Sequence, residues 1–160
     1  MINEKTMTVD TFRGAFGLLL DDIFDTPQHF ILDGGDQLVT TLREISADEA
    51  SERVSSQTAS LAAQVNHLCV YIEGIQNGPD QKVDWDASWT DVTAVDEAEW
   101  AALIQRVERN RDGIRSFVSG FEDWNEQYVG GAIAILAHTA YHLGEIRTGI
   151  GVIRDRRTPG

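Results

Sequence analysis

Apolar residues recur at steps of three and four almost throughout this chain, the period of an α-helix with one buried face. Val9, Phe12, Phe16, Leu19 and Ile23 make a first stripe, which Pro27 ends. Gly34 and Gly35 punctuate, and Leu38, Leu42 and Ile45 continue as a shorter helical stripe. Ser46-Ala-Asp-Glu49 has capping-box spacing, the serine oxygen serving the glutamate amide and the carboxylate reaching back, and predicts a further turn or two. Leu61, Val65, Leu68, Ile72 and Ile75 form the cleanest stripe, stopped by Asn77-Gly78-Pro79. Residues 78–92 read as a loop carrying Trp85 and Trp89. Asp96 and Glu99 make a second capping box, with Val95 and Trp100 spaced as a hydrophobic staple. The stripe that follows runs through Leu103, Val107, Ile114, Val118 and Phe121. A last helix is predicted from about Asn125 to Ile153, with Ile133, Leu136, Ala140, Leu143, Ile146 and Ile150 inside. Arg154-Asp155-Arg156-Arg157 then places cations at the negative end of its dipole.

Clean two-residue alternation, internal repeats and low-complexity tracts are all missing from the sequence. Long amphipathic helices with polar outer faces predict an all-α fold, a four-helix bundle in which the long Trp-bearing connection is a crossover loop. The 160 residues make one domain, 1–160, large enough to bury roughly 70% of its unfolded surface without disulfides or a metal. A single Cys excludes an intrachain disulfide and a Cys-based zinc knuckle. Charge changes the picture of partners: 26 Asp and Glu against 13 Lys and Arg give a net −13. Such a surface repels phosphate backbones and anionic headgroups, so neither nucleic acid nor a membrane is expected as partner. The apolar run Phe16–Leu20, broken by Asp21 and Asp22, is too short for a signal h-region or a membrane span. The expectation is a soluble, cytoplasmic protein.

Candidate chemistry concentrates in the histidines. His138 and His142 are four apart on the last helix, so both imidazoles project from one face about one turn apart and can reach one metal ion. His67 lies mid-helix, one position off the Leu61–Ile75 stripe, at a depth where a neighbouring helix can aim at the same point. Three imidazoles with an open fourth position describe a catalytic rather than a structural metal site. The residue after His138 is not Glu, so this is not the metalloprotease His-Glu-x-x-His motif. Spacing alone leaves the competing reading open, in which these are ordinary core or surface histidines. His29, after Pro27, reads as a surface residue.

Ala137-His-Thr-Ala-Tyr-His-Leu-Gly-Glu-Ile-Arg147 resembles the signature of the DinB/YfiT-like metalloenzyme superfamily, which shares its name with an unrelated DNA polymerase. The resemblance extends over most of the chain. Phe30-Ile-Leu-Asp-Gly-Gly, Leu42 and Ser46-Ala-Asp-Glu-Ala are similar to the family's early region. Val65-Asn-His-Leu-Cys-Val-Tyr-Ile72 resembles its second-helix histidine, and Trp85-Asp-Ala-Ser-Trp89 with Glu99-Trp100 its crossover and third helix. The resemblance implies a four-helix bundle, often a homodimer, with a divalent metal held by His67, His138 and His142. Zinc or nickel comes first as that ion, with iron also suited to imidazole. It further implies a small-molecule substrate and chemistry on a low-molecular-weight thiol such as bacillithiol or mycothiol, the activity of characterised S-transferases and a thiol-dependent isomerase. A metal with an open position stabilises a thiolate at neutral pH.

The remaining residues qualify this reading. Cys69 points towards the core and reads as a buried small hydrophobe rather than a nucleophile. Neither a Gly-rich phosphate loop nor a Gly-x-Ser-x-Gly elbow is present. Glu145 shares the face of His142 and His138. It is a candidate catalytic base, a support for a ligand histidine, a metal ligand, or an exposed partner of Arg147. Tyr141 reads as a helix-interface residue, and Gly144 and Gly149 as sites of close helix approach. Trp85 and Trp89 read either as a cap on the core or as a wall of the pocket mouth. A di-iron carboxylate bundle is disfavoured, since neither histidine-bearing helix carries Glu-x-x-His. Two functions stand at this point. One is a metal-dependent transferase using a small thiol, the other a non-catalytic metal- or small-molecule-binding dimeric bundle.

Overall fold

The computed structural model describes residues 7–34, 36–78, 80–122 and 124–158; Gly35 and Pro79, two of the expected breaks, lie outside the described residues. About 70% of the described residues are helical, with no strand among them beyond one antiparallel bridge between Arg53 and Ser60. The helices are α1 (Val9–Phe24), α2 (Leu38–Arg43), α3 (Ala47–Ala50), α4 (Leu61–Gln76), α5 (Trp85–Thr90), α6 (Glu97–Gly120) and α7 (Glu126–Arg157). Six begin on a side-chain cap, where Thr8, Ser46, Ser60, Asp84, Asp96 or Asn125 accepts a first-turn amide. Both expected capping boxes form, Ser46 with Glu49 and Asp96 with Glu99. Beyond α4 the chain turns at Gly78 with φ +86°, a value glycine adopts without strain.

α4 lies at the centre, packed against α5, α6 and α7, while α1 packs against α6 and α7. Leu20, Ile23, Leu61, Leu68, Ile72, Ile114, Ile135, Leu143 and Ile146 are among the fully enclosed side chains of one continuous core. Every residue from Leu61 to Cys69 is buried, so the first half of α4 has no solvent face. The single stripe expected there is therefore an understatement. The cause is α5, which replaces part of the expected 78–92 loop and packs on α4.

Three other expectations change. Ile133 is 53% exposed rather than inside. Tyr141 is 60% exposed, so it is not an interface residue of this chain. A Cβ at Gly144 would meet nothing within 4 Å, whereas one at Gly149 would lie 2.9 Å from Leu61 Cδ2 and 3.1 Å from Val54 Cγ2. Close approach explains Gly149 only. The C-terminal arginines pair specifically: Arg154 bonds Glu49 at 2.8 Å and Arg157 bonds Glu52, tying the end of α7 to the α3 region.

Asp22, a polar residue inside the first stripe, is completely buried. Its Oδ1 accepts from the amides of Gln28 (2.7 Å) and His29 (3.1 Å), its Oδ2 from those of Phe30 (3.0 Å), Ile31 (2.7 Å) and Leu32 (3.3 Å). His29, exposed as expected, takes φ +60° to let the loop curl round the carboxylate. Burial works to raise the Asp22 pKa, but the converging amides outweigh it and hold it at about 2.

Candidate metal centre

The helix-by-helix logic of α4 and α7 brings His67, His138 and His142 together, each offering a nitrogen, all within 4.8 Å of one another. Ring centroids are 5.5 Å apart for His67 and His138, 5.3 Å for His67 and His142, and 4.5 Å for His138 and His142. His142 Nε2 and His138 Nε2 face each other at 3.2 Å. Two nitrogens about 2.0–2.1 Å from one tetrahedral ion lie about 3.3–3.4 Å apart, so this edge already has the spacing of a shared metal.

Proton bookkeeping fixes which nitrogen of His67 faces inward. Ser88 Oγ donates its one proton to the carbonyl of Trp85 at 2.6 Å, so towards His67 Nδ1, 2.7 Å away, it is an acceptor. Nδ1 therefore carries the hydrogen and Nε2 is left with a free lone pair. Ser88, on α5, is held in turn by Asn66, whose Nδ2 donates to the Ser88 carbonyl at 2.8 Å. Arg106 orients that amide by donating to Asn66 Oδ1 at 2.8 Å, and its guanidinium grips Glu73 with two bonds of 2.7 and 2.6 Å. Asn110 closes the network onto Glu73 Oε1 (3.2 Å) and the Cys69 carbonyl (3.3 Å). This is the usual outer support of a metal-binding imidazole.

On α7, Glu145 Oε2 lies 3.0 Å from His142 Nδ1, off the line of the ring N–H, and its other oxygen accepts from the Tyr141 hydroxyl at 2.7 Å. The carboxylate thus sits on the outer side of His142, away from the Nε2 that meets His138. Of the roles open to Glu145, this position suits support of a ligand histidine. Aromatic rings wall the cluster: Trp89 stacks on His67 at 3.9 Å and Tyr71 on His138 at 3.8 Å, with Trp85 6.2 Å from His67. Trp85 and Trp89 therefore belong to the site rather than to the core, where Cys69 is indeed enclosed.

The electrostatics favour neutral imidazoles. Burial, then the neighbouring His142 and His138, push the His67 pKa down to about 4. Burial also lowers His138 and His142, with Glu145 opposing the shift in both. All three shifts run towards the neutral ring, the form of histidine that binds a metal ion. Three neutral nitrogen donors suit zinc, nickel, iron or copper, and the donor set fits such an ion. Sequence reasoning found the three histidines and missed Ser88, Asn66, Arg106 and Tyr71. The one signal for Ser88 was Asp84, three residues before Ala87, whose side chain caps α5. No family model matches this chain, and neither a curated protein nor a solved structure is similar enough to it to match.

Proposed function

We propose that this protein is a metal-dependent enzyme whose ion is held by His67, His138 and His142, and that it transfers a small thiol to an electrophile. The observation that carries the reading is the pair of facing Nε2 atoms 3.2 Å apart, with a third imidazole whose Nδ1–H is taken by Ser88 and whose Nε2 keeps its lone pair. With the ring hydrogens of His138 and His142 on their Nδ1 atoms, both Nε2 lone pairs face one point, the arrangement in which two imidazoles share an ion. An ion held by these three histidines would supply Lewis acidity that lowers the pKa of a thiol. Transfer of that thiol would join its sulfur to the electrophilic carbon, the leaving group departing with the electron pair of the broken bond and taking up the thiol's proton. Ser88 and Glu145 act as positioning residues for His67 and His142. The walls formed by Trp89, Trp85 and Tyr71 exclude water from the histidines. α1, α4, α6 and α7 are read as a four-helix bundle, the segment between α4 and α6 as its crossover, and the homodimer rests on the DinB/YfiT-like resemblance alone.

Metal analysis of untagged protein, followed by a thiol-transfer screen with the metal restored, tests the reading. One ion per chain and metal-dependent consumption of a low-molecular-weight thiol are expected. An ion without turnover across the screen would leave the non-catalytic metal-binding bundle, and no ion would remove both.

A further inference from the structure

Beside the histidines lies a cavity of about 500 Å³, within the range that takes small organic ligands. Tyr71, Trp85, Phe117, Phe121 and Tyr128 line it, and Gly131 of α7 forms part of its floor. No Asp, Glu, Lys or Arg among the described residues lines it; Gln81 and Gln127 supply its polar side chains. Two of its walls are shared with the metal centre, since Tyr71 stacks on His138 and Trp85 stands 6.2 Å from His67. Trp85 and Tyr128 remain 47% and 39% exposed, so two of the lining rings are open to solvent.

We infer that this cavity is the subsite for an uncharged, planar aromatic group, placed so that a reactive end attached to it reaches the histidines past Tyr71 and Trp85. The inference deepens the transferase reading, and rests on it for the word electrophile but not for binding itself. Charge decides against an anion: a protein of net −13 with no cation in the cavity has nothing to pair with one. An ammonium group would find no counter-ion there, since no Asp or Glu among the described residues lines the cavity. Phe121 stacks on Tyr128 at 4.2 Å and meets Phe117 edge-on at 4.5 Å, a ring-on-ring packing that a further planar ring extends. Flat apolar walls with two side-chain amides at the edge match a fused ring bearing a hydroxyl or carbonyl. At Gly131 a Cβ would meet only Ile75 Cγ2, at 4.0 Å, so a small side chain fits there while a large one projects into the space.

The probe is 2-naphthol, titrated into the full chain and followed by amide shifts of Gly74, Gly78 and Gly131. A Kd on the order of 0.1–1 mM is expected for eleven heavy atoms, with naphthalene-2-sulfonate roughly tenfold weaker or worse. Gly131→Leu should weaken naphthol roughly tenfold, Gly131→Ala should bind as the native protein does, and Tyr128→Ala should weaken it severalfold if the leucine variant fails to fold. In protein loaded with cobalt(II), naphthol protons should relax faster, and this effect should vanish in His138→Ala. Saturable naphthol binding without cobalt binding would keep the subsite and remove the metal reading. No naphthol binding, equal binding by all variants, tighter binding of the sulfonate or of tetramethylammonium, or loss of the site as protein concentration drives a second copy onto this face, would each overturn the inference.

Discussion

Replacing Ser88 by Ala tests whether the network behind His67 is built to hold a metal ligand. The hydroxyl takes the Nδ1 proton at 2.7 Å while spending its own on Trp85, so its loss leaves a buried N–H without an acceptor whenever Nε2 is committed to an ion. An unsatisfied buried donor costs about 1–3 kcal/mol, and removal of such a support weakens metal binding by about 10–100-fold, which is about 1.4–2.7 kcal/mol. The two figures agree. Without metal the ring escapes most of this cost by moving its proton to Nε2, so apo stability should fall by only about 1 kcal/mol, or about 2–4 °C in Tm. Zinc titration by calorimetry, beside thermal melts of the apo protein, separates the two effects. A zinc affinity within about twofold of native, or an apo destabilisation as large as the affinity loss, would refute the reasoning.

Asp22→Asn cannot accept from all five amides, since its NH₂ must face at least Gln28 and His29; we expect a loss of about 3 kcal/mol and about 6–12 °C in Tm. The native carboxylate, at about 2 against 3.8 unfolded, binds its proton later than the unfolded chain does, so its contribution is complete above pH 3.8 and fades as pH falls towards 2. Acid melts of the Asn variant should lack that component. Cys69, enclosed by α4 and its neighbours and pushed up to about 12 by burial, should resist a thiol reagent in the native state and react at once in denaturant. Gly144→Ala should stabilise by about 0.5–1 kcal/mol, whereas Gly149→Ala, pressed on Leu61 and Val54, should be the less stable of the two by about 1–2 kcal/mol in denaturant titrations.

Much of the helical layout is legible in the sequence because caps and stripes are local. Ser46 with Glu49 and Asp96 with Glu99 need only three residues of spacing to declare a helix start, and both do so. α5 escaped because Trp85–Thr90 is too short for any periodicity to show. That miss propagated: without α5 there was no reason to expect the start of α4 to be enclosed on every side, nor to look for Ser88 against His67. Asp22 was invisible for a similar reason, its meaning lying in a loop that returns six to ten residues later with a left-handed His29. The histidines were the reverse case. An i, i+4 pair on one helix face can be read directly, and His67 stood out by its central place on another helix. The ring-to-ring packing by Trp89 and Tyr71 depends on side-chain angles that no spacing encodes.

The most direct test of the account is a zinc titration of chelator-stripped, untagged protein, repeated on His67→Ala, His138→Ala and His142→Ala with helix content followed by circular dichroism. The account predicts one ion per native chain, and for each variant a loss of affinity of at least about 100-fold, one nitrogen donor of three being removed, while the helical spectrum stays unchanged because the core rests on its Leu and Ile side chains. No zinc binding by the native chain, or binding that His67→Ala leaves intact, would contradict it.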